Sequence, residues 1–181
     1  AGKSLICAKN TKILVGLSKK KVLCLCPTSE LVEQNYEKYL LTGNKASVYS
    51  ASSSFKKQAW YQWEDVVFAT EGTFKTQAEK VGSYFSCVIL DECHKITPTI
   101  KKIINDMRIG SPNLRTVGMS ATPYRMLTGY IYAINEKNRL LNESETIDPY
   151  FRKKLISIDG KFLTDQGYLT PIRIGKIGAE Q

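Results

Sequence analysis

The chain has 181 residues, 43% of them hydrophobic and 24% charged, which excludes a disordered or fibrous polypeptide and sets one globular domain with a sizeable core as the expectation. With 26 Lys and Arg against 17 Asp and Glu, the formal net charge of +9 suits a polyanionic partner such as a phosphate backbone. Five cysteines (Cys7, Cys24, Cys26, Cys87 and Cys93) lie mostly in apolar runs without regular spacing, which argues against a disulfide framework and for a reducing, cytoplasmic setting. Cys24 and Cys26 have no CxxC or histidine partner for a zinc site, and no apolar stretch approaches the ~20 residues that span a bilayer. Neither a membrane partner nor a signal peptide is expected.

In chain order, Ser4 to Leu17 carries apolar residues at helical spacing, and Lys19, Lys20 and Lys21 suit its C-terminal end. Val22 to Cys26 is a short, wholly apolar run, as expected of a strand buried on both faces of a parallel sheet. Ser29 then reads as the N-cap of a helix from Glu30 to Leu41. The strand signal returns at Ala46–Tyr49, Val66–Ala69, Cys87–Leu90 and Thr116–Met119. Short buried strands alternating with helices predict a doubly wound α/β sheet, in which ligands collect beyond the carboxyl ends of the strands. Between them Trp60 and Trp63, with Phe55, Tyr61, Lys56 and Lys57, read as the packing face of an amphipathic helix or as a base-stacking patch.

From Tyr124 to Ile158 the alternation fades, and polar residues mix with Tyr130, Tyr132, Tyr150 and Phe151, a pattern read as a helical insertion or accessory flap. Phe162 to Tyr168 reads as a short helix ended by Gly167, after which Pro171 opens an extended segment, Ile172–Ile177. The expected division is therefore a core of residues 1–123, an insertion of residues 124–160 and a C-terminal segment of residues 161–181.

Several strand ends carry polar groups that can do chemistry. Ala1-Gly2-Lys3-Ser4, opening a helix, matches the second half of GxxxxGK[ST], where backbone N–H groups, a lysine and a hydroxyl surround a triphosphate and its magnesium. Val88-Ile89-Leu90 delivers Asp91 and Glu92 to a strand's carboxyl end, where Asp91 can hold a metal's water shell and Glu92 can orient and deprotonate an attacking water. Ser120 and Thr122 in MSATP follow a further strand, where they serve either the site or an ordinary turn. Pro27 and Thr28, and Thr70, Gly72 and Thr73, offer hydroxyls and backbone N–H groups that bind phosphates without reading bases, or that cap helices. His94, the single histidine, stands beside the carboxylate pair and reads as a coupling residue rather than a base.

Taken in order, GKS, PTSELVEQ, ATEGTF, LDECH and MSATPYR resemble the motifs of superfamily 2 helicases, in the DExH rather than the DEAD-box form. MSATPYRMLTGYIY followed by QGYLTPI resembles bacterial and phage RadD-type DNA repair helicases more narrowly. The resemblance implies a RecA-like P-loop fold using ATP and Mg2+. Gly2, Lys3 and Ser4 would stand on the phosphates, Ser4 and Asp91 on the metal, and Glu92 would be the base, with Lys3 and Asp91 beside it in catalysis. His94, Ser120 and Thr122 would couple the site to motion, and Pro27, Thr28, Thr70, Gly72 and Thr73 would meet a nucleic-acid strand, DNA rather than RNA. Arg125 matches a frequent arginine after SATP for which the resemblance implies no role.

The resemblance also implies that the chain begins inside its phosphate-binding loop, without the strand before it, and that a second RecA-like domain belongs to the same protein. On that expectation the 181-residue piece by itself binds ATP weakly and hydrolyses almost none. Two other readings stand beside a helicase: a restriction-type translocase without strand separation, and a non-hydrolysing nucleic-acid-binding module. The intact Lys3, Asp91 and Glu92 argue against the last.

Overall fold

The computed structural model describes residues 3–51 and 59–167. At its centre five strands, β1 (Lys21–Cys26), β2 (Ser47–Tyr49), β3 (Val66–Thr70), β4 (Phe85–Asp91) and β5 (Arg115–Met119), form one sheet in the order β2-β3-β1-β4-β5. Every pairing is parallel, and the register sets Cys26 beside Thr70, Leu25 beside Leu90 and Asp91 beside Met119. The carboxyl ends of these strands consequently share one edge.

Side chains alternate across each strand, and both faces are apolar, so helices cover both. Val22, Cys24 and Cys26 of β1 pack with Cys7 and Ala8 of α1 (Lys3–Ser18) and Val32 and Tyr39 of α2 (Ser29–Leu40). Leu23 and Leu25 face the other way, into a cluster with Phe74 of α3 (Glu71–Phe74), Val81 of α4 (Ala78–Val81) and Ile103, Ile104 and Met107 of α5 (Pro98–Gly110). The α/β doubly wound architecture is thus as the sequence predicts. α5 shows why its segment is helical: Thr97 caps it by accepting the Ile100 N–H, Pro98 opens it, and Ile103, Ile104 and Met107 fall on one face.

Three local expectations need correction. The N-cap of α2 is Thr28, whose side chain accepts the Leu31 N–H at 3.3 Å, while Ser29 is already helical and bonds Ser50 Oγ instead. Residues 60–62 form one 3-10 turn rather than an amphipathic helix, and Trp63 sits 4% exposed in the core, stacked on Phe74. Its partners in the sequence reading, Phe55, Lys56 and Lys57, lie outside the described residues.

The third correction concerns residues 124–159, which contain strands and no helix. β6 (Tyr124–Arg125) pairs antiparallel with β7 (Gly129–Tyr130), and β8 (Tyr132–Ile134) pairs parallel with β9 (Phe151–Lys153). Aromatic and β-branched residues favour extended backbone, and left-handed residues at Leu127, Gly129, Asn138 and Asp148 turn the chain between the short runs. The segment packs as part of the main core, since Ile131, Tyr132 and Leu141 are buried in the same cluster as β4, with Phe151 against it. Gly118 in β5 permits this: a Cβ there would stand 2.7 Å from Cys93 Sγ and closer still to the Phe151 ring. A final helix, α6 (Gly160–Asp165), precedes Gly167 at φ +74°, while Tyr168, Pro171 and Ile172–Ile177 lie outside the described residues.

Candidate functional site

The carboxyl edge of the sheet gathers most of the residues singled out from the sequence. Asp91 ends β4 and is only 6% exposed. Its Oδ2 accepts a hydrogen bond from Asn35 Nδ2 at 2.9 Å, and its Oδ1 accepts the Glu92 backbone N–H at 2.9 Å. Asn35 also donates to Cys26 Sγ at 3.4 Å, so one amide from α2 ties the ends of β1 and β4 together. Glu92 then takes left-handed backbone angles, φ 49° and ψ 45°, which cost an L-residue about 1–2 kcal/mol. A 3-10 turn over Cys93–Lys95 follows, closed by Lys95 N–H on Glu92 O at 2.9 Å.

That turn carries His94 back toward β5. His94 Nδ1 stands 2.9 Å from Ser120 Oγ and 3.4 Å from Glu92 Oε2. Ser120 Oγ also accepts the Thr122 backbone N–H at 3.0 Å, so Ser120 holds its own turn while reaching the histidine. A carboxylate, an imidazole and a hydroxyl from two neighbouring strand ends therefore form one chain of polar contacts. Thr122 joins it through its backbone; its side chain is exposed.

α1 runs antiparallel to β1, because only two residues separate Ser18 from Lys21. Thr11 Oγ1 reaches Cys24 Sγ at 3.6 Å, and at ~1.5 Å per residue Ser4 lies about 10 Å further toward the carboxyl edge. The start of α1, with Lys3 and the half-buried Ser4, accordingly comes to the same edge as Asp91. No acidic residue occupies its first turn to compete for the free N–H groups. Gly2 lies outside the described residues.

Pro27 and Thr28 follow β1, and Thr70 ends β3 beside Cys26, so the two candidate strand-contacting segments are neighbours. Thr70 Oγ1 and Thr73 Oγ1 stand 3.0 Å apart. Gly72 is exposed, and a Cβ there would meet nothing within 4 Å, so packing within the described chain does not account for a glycine. Glu71 Oε2 accepts from Thr97 Oγ1 at 2.5 Å, which links this segment to the cap of α5.

Oxygen donors at this edge fit a hard cation. Among the described residues no three His, Cys, Asp and Glu side chains are placed to hold a metal ion by themselves. Magnesium bound with a nucleotide needs only one or two carboxylates, the rest of its shell being phosphate and water. Asp91 and the Ser4 hydroxyl supply that kind of donor. All five cysteines are buried, and burial pushes the Cys87 thiol up to about 11 and also raises Cys24, away from the reactive thiolate range.

Sequence reasoning missed Asn35, Thr97 and the contacts of Arg125. Asn35 did leave a signal, since it falls between Val32 and Tyr39 on the buried stripe of α2, where a polar residue needs a partner.

The sequence profile of the family described as "Type III restriction enzyme, res subunit" (ResIII) matches residues 1–125. The chain belongs to the ResIII family. No curated protein sequence matches it significantly. Among solved structures, the UvsW helicase of bacteriophage T4 matches at 25% identity and TM-score 0.52, over 65% of this chain and 43% of that one. A second structure of T4 UvsW matches at 22% identity and TM-score 0.53, over 74% of this chain and 31% of that one. A nuclease-deletion mutant of the type ISP restriction-modification enzyme LlaGI, solved with a DNA substrate mimic, matches at 17% and 0.53, over 92% of this chain and 18% of that one. The ResIII chain thus spans less than half the length of each of these three structures. Its sheet order, flanking helices and family make it a RecA-like domain of the superfamily 2 helicase type. Among the described residues no helix is long and apolar enough to cross a membrane.

Proposed function

We propose that this ResIII domain is the ATP-hydrolysing half of a DExH-type motor that moves on DNA. Gly2, Lys3 and Ser4 would hold the phosphates at the start of α1, with Ser4 and Asp91 on Mg2+. When bound, that ion would neutralise charge on the transferred phosphoryl group. Glu92 would orient and deprotonate the attacking water. His94, Ser120 and Thr122 would couple β4 to β5, and Pro27, Thr28, Thr70, Gly72 and Thr73 would meet the strand's phosphates. A second RecA-like domain would complete the cleft, and residues 161–181 would lead to it.

The observation that carries this reading is the placement of two adjacent carboxylates at the end of β4, one buried and hydrogen-bonded, the other in contact with a histidine. Asp91 is pinned by Asn35 and by the Glu92 N–H, which suits a fixed ligand position. Glu92 is a quarter exposed and reaches toward the edge, which suits a group that must meet water.

Glu92→Gln in the full-length protein is the direct test. The amide keeps the shape but cannot accept a proton, so ATP binding should persist while turnover falls by about 100-fold or more. Near-normal hydrolysis would remove Glu92 from the role of base.

Two kinds of motor remain within this reading. The RadD-like MSATPYRMLTGYIY segment favours a repair helicase that separates strands, whereas the ResIII match favours a restriction-type translocase that does not. Strand-displacement and triplex-displacement assays on the full-length protein separate them: only a true helicase releases the annealed strand.

A further inference from the structure

Arg125 follows MSATP by two residues, and its side chain turns away from solvent to the loop after the carboxylate pair. Nε donates to His94 O at 2.7 Å and Nη2 donates to Ile96 O at 3.1 Å. Both acceptors are backbone carbonyls of the one turn that begins at Glu92. A guanidinium presents its donors in a rigid plane, so two bonds to one turn fix orientation as well as position.

The turn needs such support. Glu92 sits in the left-handed region, and a strained residue persists only where its surroundings over-determine it. Several contacts do so here, among them the Glu92 N–H on Asp91 Oδ1, the Lys95 N–H on Glu92 O, the His94 ring on Ser120 Oγ, and Arg125 on the carbonyls of His94 and Ile96. Arg125 holds the far end of the turn, where Ile96 is also buried in the core. Arg125 is itself anchored, since it pairs with Gly129 across the β6–β7 hairpin, and Gly129 packs against the Glu145 carbonyl.

We infer that Arg125 is a positioning residue that holds the Glu92–Ile96 turn, and with it the Glu92 carboxylate, in the geometry for hydrolysis. It acts through the turn, because its two hydrogen bonds go to backbone carbonyls. The inference rests on the reading of Asp91 and Glu92 as the hydrolytic carboxylates, and the test separates the two. It also gives the β6–β7 hairpin a task, because any shift of that hairpin moves the turn through one side chain.

The experiment is steady-state ATPase with DNA on the full-length protein, comparing Arg125→Ala, Arg125→Lys and Glu92→Gln, with nucleotide affinity measured by a fluorescent ATP analogue. Misplacing a catalytic group by about 1 Å costs on the order of 100-fold, so Arg125→Ala should lower kcat by roughly 10- to 100-fold, with nucleotide affinity and the cooperative melt retained. Arg125→Lys, with one compact donor in place of a fork, should fall between. Added guanidinium ion should partly restore the alanine variant, a rescue that a general packing defect would not show. If the alanine variant does not fold, the lysine variant carries the test by its split of kcat from affinity. A kcat within about twofold of wild type in both variants, while Glu92→Gln is inactive, would overturn the role of Arg125 and leave the site reading intact. Near-normal turnover by Glu92→Gln would overturn the site reading itself.

Discussion

Asn35 Nδ2 stands 2.9 Å from Asp91 Oδ2, so a side chain from the helix after β1 holds the carboxylate that ends β4. Both residues are buried, at 2% and 6% exposure, and the same amide reaches Cys26 Sγ. The strand end expected to contact nucleic acid and the strand end expected to contact nucleotide are thereby joined by one polar residue.

Replacing Asn35 tests that joint. Asn35→Leu removes a donor from a buried carboxylate and should cost about 1–3 kcal/mol of stability. Asn35→Asp should cost more near neutral pH and less in acid, because it sets two carboxylates against each other and one must take up a proton. Urea unfolding at two pH values reads both effects. Equal midpoints for Asn35→Asp and wild type at neutral pH would show that the contact contributes nothing.

Gly118 is a second joint, where β5 lets Phe151 of β9 pass close to Cys93. A Cβ on residue 118 would stand 2.9 Å from Cys93 Cβ, and both neighbours are held by their own strands and turns. Gly118→Ala should destabilise the domain by about 1–3 kcal/mol through overpacking. Combined with Phe151→Ala, which opens space on one side, the loss should be less than additive by at least about 0.5 kcal/mol. Strict additivity in thermal unfolding would mean that the alanine methyl escapes toward a different neighbour.

The insertion has its own acid sensitivity. Arg139 holds Glu145 by two hydrogen bonds, 2.6 and 2.8 Å, and with the Asn142 N–H this pushes the Glu145 carboxyl down to about 2, from 4.5. A carboxyl depressed in the folded state stabilises it above the unfolded value, and that contribution fades as pH falls from 4.5 through about 2. The Glu145 side chain keeps about a quarter of its surface in solvent and Arg139 more than half, so solvent screens the pair and the effect is local rather than global. Hydrogen exchange at Tyr130, whose N–H bonds the Glu145 carbonyl, should accelerate over that window in wild type relative to surrounding amides, and less so in Glu145→Gln. Identical pH profiles in the two proteins would sink the assignment.

The sheet was legible from sequence because its strands are buried on both faces: Val22–Cys26 and Cys87–Leu90 are continuous apolar runs bounded by polar residues, and few other structures produce that pattern. The carboxylate pair was legible for the same reason, since Asp91 and Glu92 follow such a run directly. Residues 124–159 were not, because strands of two or three residues are too short to show a period, and their burial depends on the distant Gly118 and β4. The cap of α2 went to Thr28 rather than Ser29 because both are good caps and only the chain's exit angle from β1 decides between them. Arg125 was noticed without a role, as its acceptors are backbone carbonyls that no side-chain pattern encodes.

Nucleic-acid binding by the full-length protein should be steeply salt-dependent and nearly indifferent to sequence. The candidate contacts are the exposed Thr28, the half-buried Thr70 and Thr73, the open backbone at Gly72 and the domain's excess of lysine and arginine, all of them groups suited to phosphates rather than base edges. Each phosphate neutralised by a cationic side chain contributes a slope of about −0.7 in log affinity against log salt for a single strand. Hydroxyl and amide contacts add affinity without adding to that slope. Thr28→Ala should therefore weaken binding at every salt concentration while leaving the slope unchanged, and it should also cost about 1 kcal/mol of stability through loss of the α2 cap. Thr28→Ser keeps the cap and the hydroxyl and should restore both. Fluorescence anisotropy with labelled single strands of two unrelated sequences, titrated over a salt series, reads slope and preference together. A flat salt response, or a strong preference for one sequence at constant salt, would mean that this edge of the sheet is not where a phosphate backbone runs.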